Sequence, residues 1–470
     1  MQSLQDKMFK ELNNHEFFKQ TQRYAQNYLD SALERNVTPT IEALENLSYF
    51  DEIMPKESSE AKNVIETLNT HGAPATSVSI GGRYFGFVTG SVIPAGLAAK
   101  HLATYWDQNS GLNVISPIAS KLESTVEGWL RELFNFPENV VAGFVSGTSM
   151  ANFCGLAAGR FRLLERMGWN VNVKGLYNAP PLRVVAGRHA HSTILKTISL
   201  LGFGTDNIEW VDVDNQGRMR ADLVPELDDK TLLILQAGNV NSGAFDPFDE
   251  ICEKANKANS WVHIDGAFGL WAQATENFKY LTKGIEKANS FAVDAHKTLN
   301  TPYDSGIVMC NDSNALISAL HMEAGYIVQS KEKDGMYFTP EMSRRARIIE
   351  LWATLKYLGK DGINEMINGF HERSVQFANA IKDIEGFELI NDVRFNQVMI
   401  KCKTDELTEK VTAKIQDLRE CWVGGSTWNG SKVIRISICA WTTTKEDIER
   451  SVKSFKHAYQ LVKNDYKSNS

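Results

Sequence analysis

The chain has no uninterrupted apolar run of the roughly 18 residues that a membrane-spanning helix needs. Its start, MQSLQDKMFKELNNHEFFKQ, has no apolar signal core. Both absences lead us to expect a cytoplasmic protein with no membrane partner. Cysteine is scarce: six residues, at 154, 252, 310, 402, 421 and 439, with no CxxC pair and no Cys/His cluster at metal-ligand spacing. That argues for a reducing compartment and against a metal centre. Positive charge is not in excess, with 50 Lys and Arg against 57 Asp and Glu and a net charge of -7. Such a balance gives no electrostatic reason for nucleic-acid binding, so a small molecule is the expected partner. Internal repeats and low-complexity linkers are absent too.

What remains is an ordinary globular composition, 43% hydrophobic and 23% charged, in 470 residues. A chain of this length predicts a large domain and at least one smaller one. Residues 1–35 read as one amphipathic helix, and 74–116, rich in Gly and aromatics, as irregular. A helix follows over 116–134. From there to about 310, β-branched runs alternate with helical stretches: RVVAG at 183–187, IEWVDV at 208–213, TLLILQ at 231–236, WVHID at 261–265, FAV at 291–293 and GIVMC at 306–310. This alternation predicts an α/β domain with a mostly parallel sheet, and ligands bind such sheets at the carboxyl ends of the strands. Helices are expected from 340 to 358 and 362 to 384, then FELIND, QVMIKC, a helix at 404–419, VIRISIC and a final helix from about 444. The expected organisation is a helical segment at 1–75, a large α/β domain at 76–370 and a small α+β domain at 371–470. The run GFGTDN at 202–207 begins like a dinucleotide fingerprint but lacks its third glycine and follows a helix, so it reads as a helix end and turn.

Chemistry concentrates at strand ends. Lys297 closes Asp294-Ala295-His296-Lys297, and Asp265 ends WVHID before Gly266-Ala267. Alone, each would be a solvated turn residue. Together they answer one cofactor: pyridoxal phosphate, whose aldehyde bonds a lysine amine and whose protonated ring nitrogen pairs with a carboxylate. Its phosphate needs backbone N–H groups and hydroxyls at a helix start, and Ser146-Gly147-Thr148-Ser149 precedes one. His191, in RHAHS, could lie over a pyridine ring.

The ordered set SGTSMAN, AHS, GNVNSGAFDP, HIDGAFG, DAHK and PEMSRRAR, spread over about 80–442, resembles the pyridoxal-phosphate-dependent group II amino-acid decarboxylases, which include aromatic L-amino-acid and glutamate decarboxylases. The resemblance implies an aspartate-aminotransferase-like, type I pyridoxal-phosphate fold. It implies a homodimer with its active site at the interface. Lys297 would carry the cofactor and Asp265 pair with its ring nitrogen. His191 would stack on the ring, Ala267 pack on the other face, and Thr148 and Ser149 take the phosphate. His296, Asn239 and Asp294 fall at polar positions nearby. Tyr337, or failing it Tyr326, would return a proton to Cα from a loop. The chain departs from the family at Thr298, where Trp is common, and at Met150, where an acid is frequent.

The implied reaction is α-decarboxylation of an L-amino acid to an amine and CO₂. Tyr84-Phe85-Gly86-Phe87 tilts the expected substrate toward an aromatic one, while the adjacent Arg83 keeps glutamate or aspartate open. An aldehyde synthase, an aminotransferase or a carbon–carbon lyase would use the same constellation.

Overall fold

The computed structural model describes residues 3–321 and 332–468. The chain opens with two helices, α1 (Leu4–Leu12) and α2 (His15–Ala32), in place of the single one expected. Asn14 interrupts the run by accepting a bond from the Phe17 N–H at 3.2 Å, since a short polar side chain competes with the helix ladder for its own backbone. Short helices α3 (Ile41–Glu45) and α4 (Ala61–Thr67) follow. The supposedly irregular stretch 74–116 contains α5 (Pro94–Trp106), started by a proline in its first turn and stopped by Asp107 in the left-handed region. Leu102, Tyr105 and Trp106 on this helix are exposed, so it has no buried stripe from which a period could be read. Next, α6 (Pro117–Leu133) buries Val126 and Leu130 as its spacing predicts.

The central body follows in chain order: β1 (Val141–Val145), α7 (Thr148–Arg166), α8 (Val171–Lys174), β2 (Arg183–Gly187), α9 (Ser192–Leu200), β3 (Ile208–Val211), β4 (Thr231–Gln236), α10 (Phe248–Lys257), β5 (Trp261–Asp265), β6 (Ser290–Asp294), β7 (Gly306–Cys310) and α11 (Ser313–Leu320). The strands form one seven-stranded sheet in the order β1-β7-β6-β5-β4-β2-β3. Within it, β7 runs against both of its neighbours and the other pairings are parallel. Strands buried along their whole length, such as β5 and β6, need cover on both faces, and separate apolar clusters supply it. This is the expected α/β architecture. The carboxyl ends of β1, β2, β4, β5 and β6 come to one edge.

Beyond the sheet, α12 runs from Ile348 to Lys382 with a non-helical break at Gly359. It starts eight residues later than expected because 343–347 is engaged elsewhere: Arg345 bridges to Asn109 and pairs with Asp304, which Arg347 also meets. Then come β8 (Glu388–Leu389), β9 (Gln397–Lys401), α13 (Asp405–Leu418), β10 (Gly424–Trp428), β11 (Ser431–Ser437) and α14 (Lys445–Ser468). Their sheet, β10-β11-β9-β8, is antiparallel and has its own apolar cluster. β10 is unforeseen, since GGSTW has little strand propensity; its hairpin turns on Asn429 and Gly430, both with positive φ. All six cysteines are buried and unpaired. No helix among the described residues is long and apolar enough to cross a membrane.

Candidate active site

Five strand ends build the site. After β1, Ser146 and Gly147 turn the chain into α7, whose first residue, Thr148, is buried. Its backbone N–H donates to Asp294 Oδ1 at 2.6 Å, and its hydroxyl oxygen is buried with no partner. Ser149 follows, exposed. Asp294, at the end of β6, is buried, and its Oδ2 lies 3.0 Å from Lys297 Nζ and 3.6 Å from His296 Nε2. Burial works to raise the Asp294 pKa, but the charges of Lys297 and His296 and hydrogen bonding from Thr148 outweigh it and hold the carboxyl below its usual range.

His296 accepts from the Ser305 N–H on Nδ1 at 3.1 Å and stacks on Tyr303, with centroids 4.2 Å apart. Burial lowers its pKa, opposed by the neighbouring Asp294. The lysine loop leaves no room behind it: a Cβ on Gly90 would strike the carbonyl oxygens of His296 and Lys297. Asn300, fully buried, ties the same loop to Ser91, Cys439 and Trp441.

Asp265 ends β5, 3% exposed, with Oδ1 accepting from the Ala267 N–H at 3.3 Å. The Ala267 carbonyl in turn accepts from the Asp294 N–H at 2.9 Å, which locks the β5 and β6 ends together. Burial pushes the Asp265 carboxyl up, partly offset by His191 and Lys297. A carboxylate so placed calls for a buried cation. His191 caps α9, its Nδ1 taking the Thr193 N–H at 3.2 Å, so its Nε2 carries the proton in the neutral ring. Burial lowers its pKa, opposed by Asp265 and assisted by Lys297 and Arg435.

Lys297, Asp265, His191, His296, Asp294 and Thr148 thus form one electrostatically connected group. Asn239 is used otherwise: its side chain bonds Gln236, His189, Asn241 and Ser242, building its own loop. Tyr337 sits in a short turn at Gly335–Phe338, half-buried, with its ring edge-on to His321 at 4.4 Å. Tyr326 lies outside the described residues.

Two residues escaped the sequence reading. Arg435, on β11, reaches the site from the small sheet. Its guanidinium is near enough to influence His191, burial lowers its own pKa, and its Nε has no partner. Its signal was a lone cation inside the apolar run VIRISIC. Tyr303 had no signal beyond following a proline. Arg83, considered as a substrate cation, is fully committed: it donates to the Glu420, Leu33 and Arg35 carbonyls and pairs with Asp447 at 3.0 Å.

The orphaned Thr148 hydroxyl at a helix start, the unpartnered Arg435 and the carboxylate demanding a cation suit a ligand with a phosphate and a protonatable aromatic nitrogen. With a lysine beside them, the fold and this constellation define a pyridoxal-phosphate enzyme of the type I fold. The chain belongs to the pyridoxal-dependent decarboxylase family, whose conserved domain matches residues 45–403. It is accordingly a carboxy-lyase acting on an amino acid. It is 25% identical over 450 residues to an aromatic-L-amino-acid decarboxylase of Bacillus atrophaeus, covering 91% of each chain. It is 28% identical over 302 residues to the acidic amino acid decarboxylase GADL1 of Mus musculus, covering 60% of this chain and 53% of that one. In fold it resembles the crystal structure of Oryza sativa TDC with PLP and tryptamine, with TM-score 0.86 and 20% identity over 95% of this chain and 97% of that one.

Proposed function

We propose that the chain removes the α-carboxylate of an aromatic L-amino acid, releasing CO₂ and the amine. The observation that supports this is an aromatic surface that reaches the lysine loop through Tyr303, which stacks on His296. Tyr84 and Phe87 both stack on Trp422, with centroids 5.2 Å apart, and Tyr303 bonds Thr89 of the same stretch. A substrate with a carboxylate side chain would want a cation there, and Arg83 is spent on Asp447.

Bound at Lys297, pyridoxal phosphate supplies an electron sink for the pair left when Cα loses CO₂. Asp265 keeps the ring nitrogen charged, because removing that proton would leave a buried carboxylate unpaired. Arg435 draws the substrate's anionic end to its face of the site. His191 orients the carboxylate that Arg435 draws in, donating its Nε2–H to it. Tyr337 returns the proton to Cα after CO₂ departs.

The active form we assign is a homodimer. Phe87, Leu102, Tyr105, Val114 and Ile115 are all at least half exposed, a surface that a twofold contact would cover in both copies at once. Tyr337 then serves the partner's site.

The test is to incubate the cofactor-loaded enzyme with single amino acids and to score CO₂ together with amine by mass spectrometry. Tyrosine, tryptophan or phenylalanine should be consumed fastest. Faster release from glutamate or aspartate would overturn the aromatic reading. Aldehyde in place of amine from the unmodified enzyme would overturn the assigned product.

A further inference from the structure

A phosphate-binding helix start ordinarily offers its amides to solvent or to the anion. Here the offer is already taken. The first amide of α7 donates to Asp294, a carboxylate 2% exposed, and the hydroxyl of the same threonine is buried next to that carboxylate. An acid at this position sets a negative group where a phosphate must arrive, and like charges sharing donors at this range cannot both stay ionised.

We propose that Asp294 stands in for the cofactor's phosphate in the cofactor-free chain, and that loading the cofactor is coupled to uptake of a proton by Asp294. Its surroundings leave little alternative. The groups facing it are His296 and Lys297 from its own loop, Thr148 from α7, Asp265 from β5, His191 at the start of α9 and the phenol of Tyr303. Against burial, Asp294 is held below its usual range by Lys297, His296 and hydrogen bonding from Thr148, whose amide donates to it at 2.6 Å. The cofactor claims two of these three. Its phosphate would take the Thr148 amide, and condensation of its aldehyde with Lys297 would release water and, in forming a neutral imine, the proton of the ammonium that faces Asp294. What is left against burial and a new anion is His296 alone, so the balance shifts to the protonated acid. A protonated Asp294 then gives the phosphate a donor where it had faced an acceptor.

This goes beyond the substrate reading and does not depend on which amino acid is consumed. The test is calorimetric titration of cofactor-free full-length protein with pyridoxal phosphate, in buffers of different ionisation heat, comparing wild type with Asp294→Asn. Asparagine keeps the acceptor for the Thr148 amide and cannot take up a proton. Wild type should absorb about one more proton per site than the variant at pH 8. Its dissociation constant should also rise relative to the variant's as pH rises, because the wild type must find a proton that the variant does not need. Equal proton uptake, or a variant that binds more weakly by the same factor at every pH, overturns the proposal. If Asp294→Asn does not fold, Asp294→Ser is read against the same two outcomes. A wild type that never turns yellow with the cofactor would instead defeat the assignment of the cofactor to Lys297, which is a separate result.

Discussion

The sharpest consequences at the residue scale fall on Asp265 and Arg435. Asp265 is buried at the end of β5 and raised by its burial, so its ionised form depends on a cation supplied by the ligand. Asp265→Asn should therefore still bind pyridoxal phosphate but lose about 100-fold or more in turnover, measured as CO₂ release at saturating substrate. Near-normal turnover would remove the role given to that carboxylate. Arg435 should behave differently. If it gathers the substrate's carboxylate, Arg435→Met raises KM by about 10-fold or more while kcat falls less, in steady-state kinetics on the fastest substrate. A loss confined to kcat would place it in the chemistry instead. Asp265 and Lys297 were legible because polar residues that stop buried strands have few innocent explanations. Arg435 and Tyr303 were not. Each is an isolated side chain brought in by tertiary packing, Arg435 from 244 positions beyond the histidine it influences.

At the scale of elements, the decisive seam lies between α7 and the sheet. α7 approaches β5 closely at Gly155, where a Cβ would meet the His263 ring at 2.7 Å, and that closeness helps to fix where its first amide points. His263 is fully buried, with Nδ1 at 2.8 Å from Ser290 Oγ and Nε2 at 2.9 Å from Asn152 Oδ1. Burial drives its pKa down to about 3, against 6.5 for the free group. The unfolded chain therefore binds a proton that the folded chain refuses between those two values. The stability from keeping this ring neutral is complete above pH 6.5 and is lost as pH falls toward 3, by up to about 1.4 kcal/mol per pH unit. Urea denaturation of His263→Gln at pH 7, 6, 5 and 4 should show a shallower acid decline than wild type. Parallel declines would mean another group governs it. The α/β elements were readable because their strands are continuous apolar runs. α5, β10 and the 340–347 stretch were not, because tertiary contacts set their form: an unburied helix face, a glycine-rich edge strand and arginines held by Asp304.

For the whole molecule, the apolar surface around α5 and residues 114–115 makes assembly the first property to check. Replacing both Val114 and Ile115 with Arg should shift the mass measured by light scattering from dimer to monomer at micromolar concentration, and activity should fall with it. A monomeric wild type with full activity would refute the assigned homodimer. The buried, unpaired state of all six cysteines has a practical corollary. Those at 252, 310, 402, 421 and 439 are each pushed up to about 12 by burial, and Cys154 is also raised, so none offers a thiolate to a reagent in water at neutral pH. Ellman's reagent should register essentially no thiol in the native protein and all six after guanidinium. A single cysteine introduced on an exposed loop would then be the one site that a dye or spin label can find, and distances across the assembly could be measured without first stripping the chain of its own sulfur.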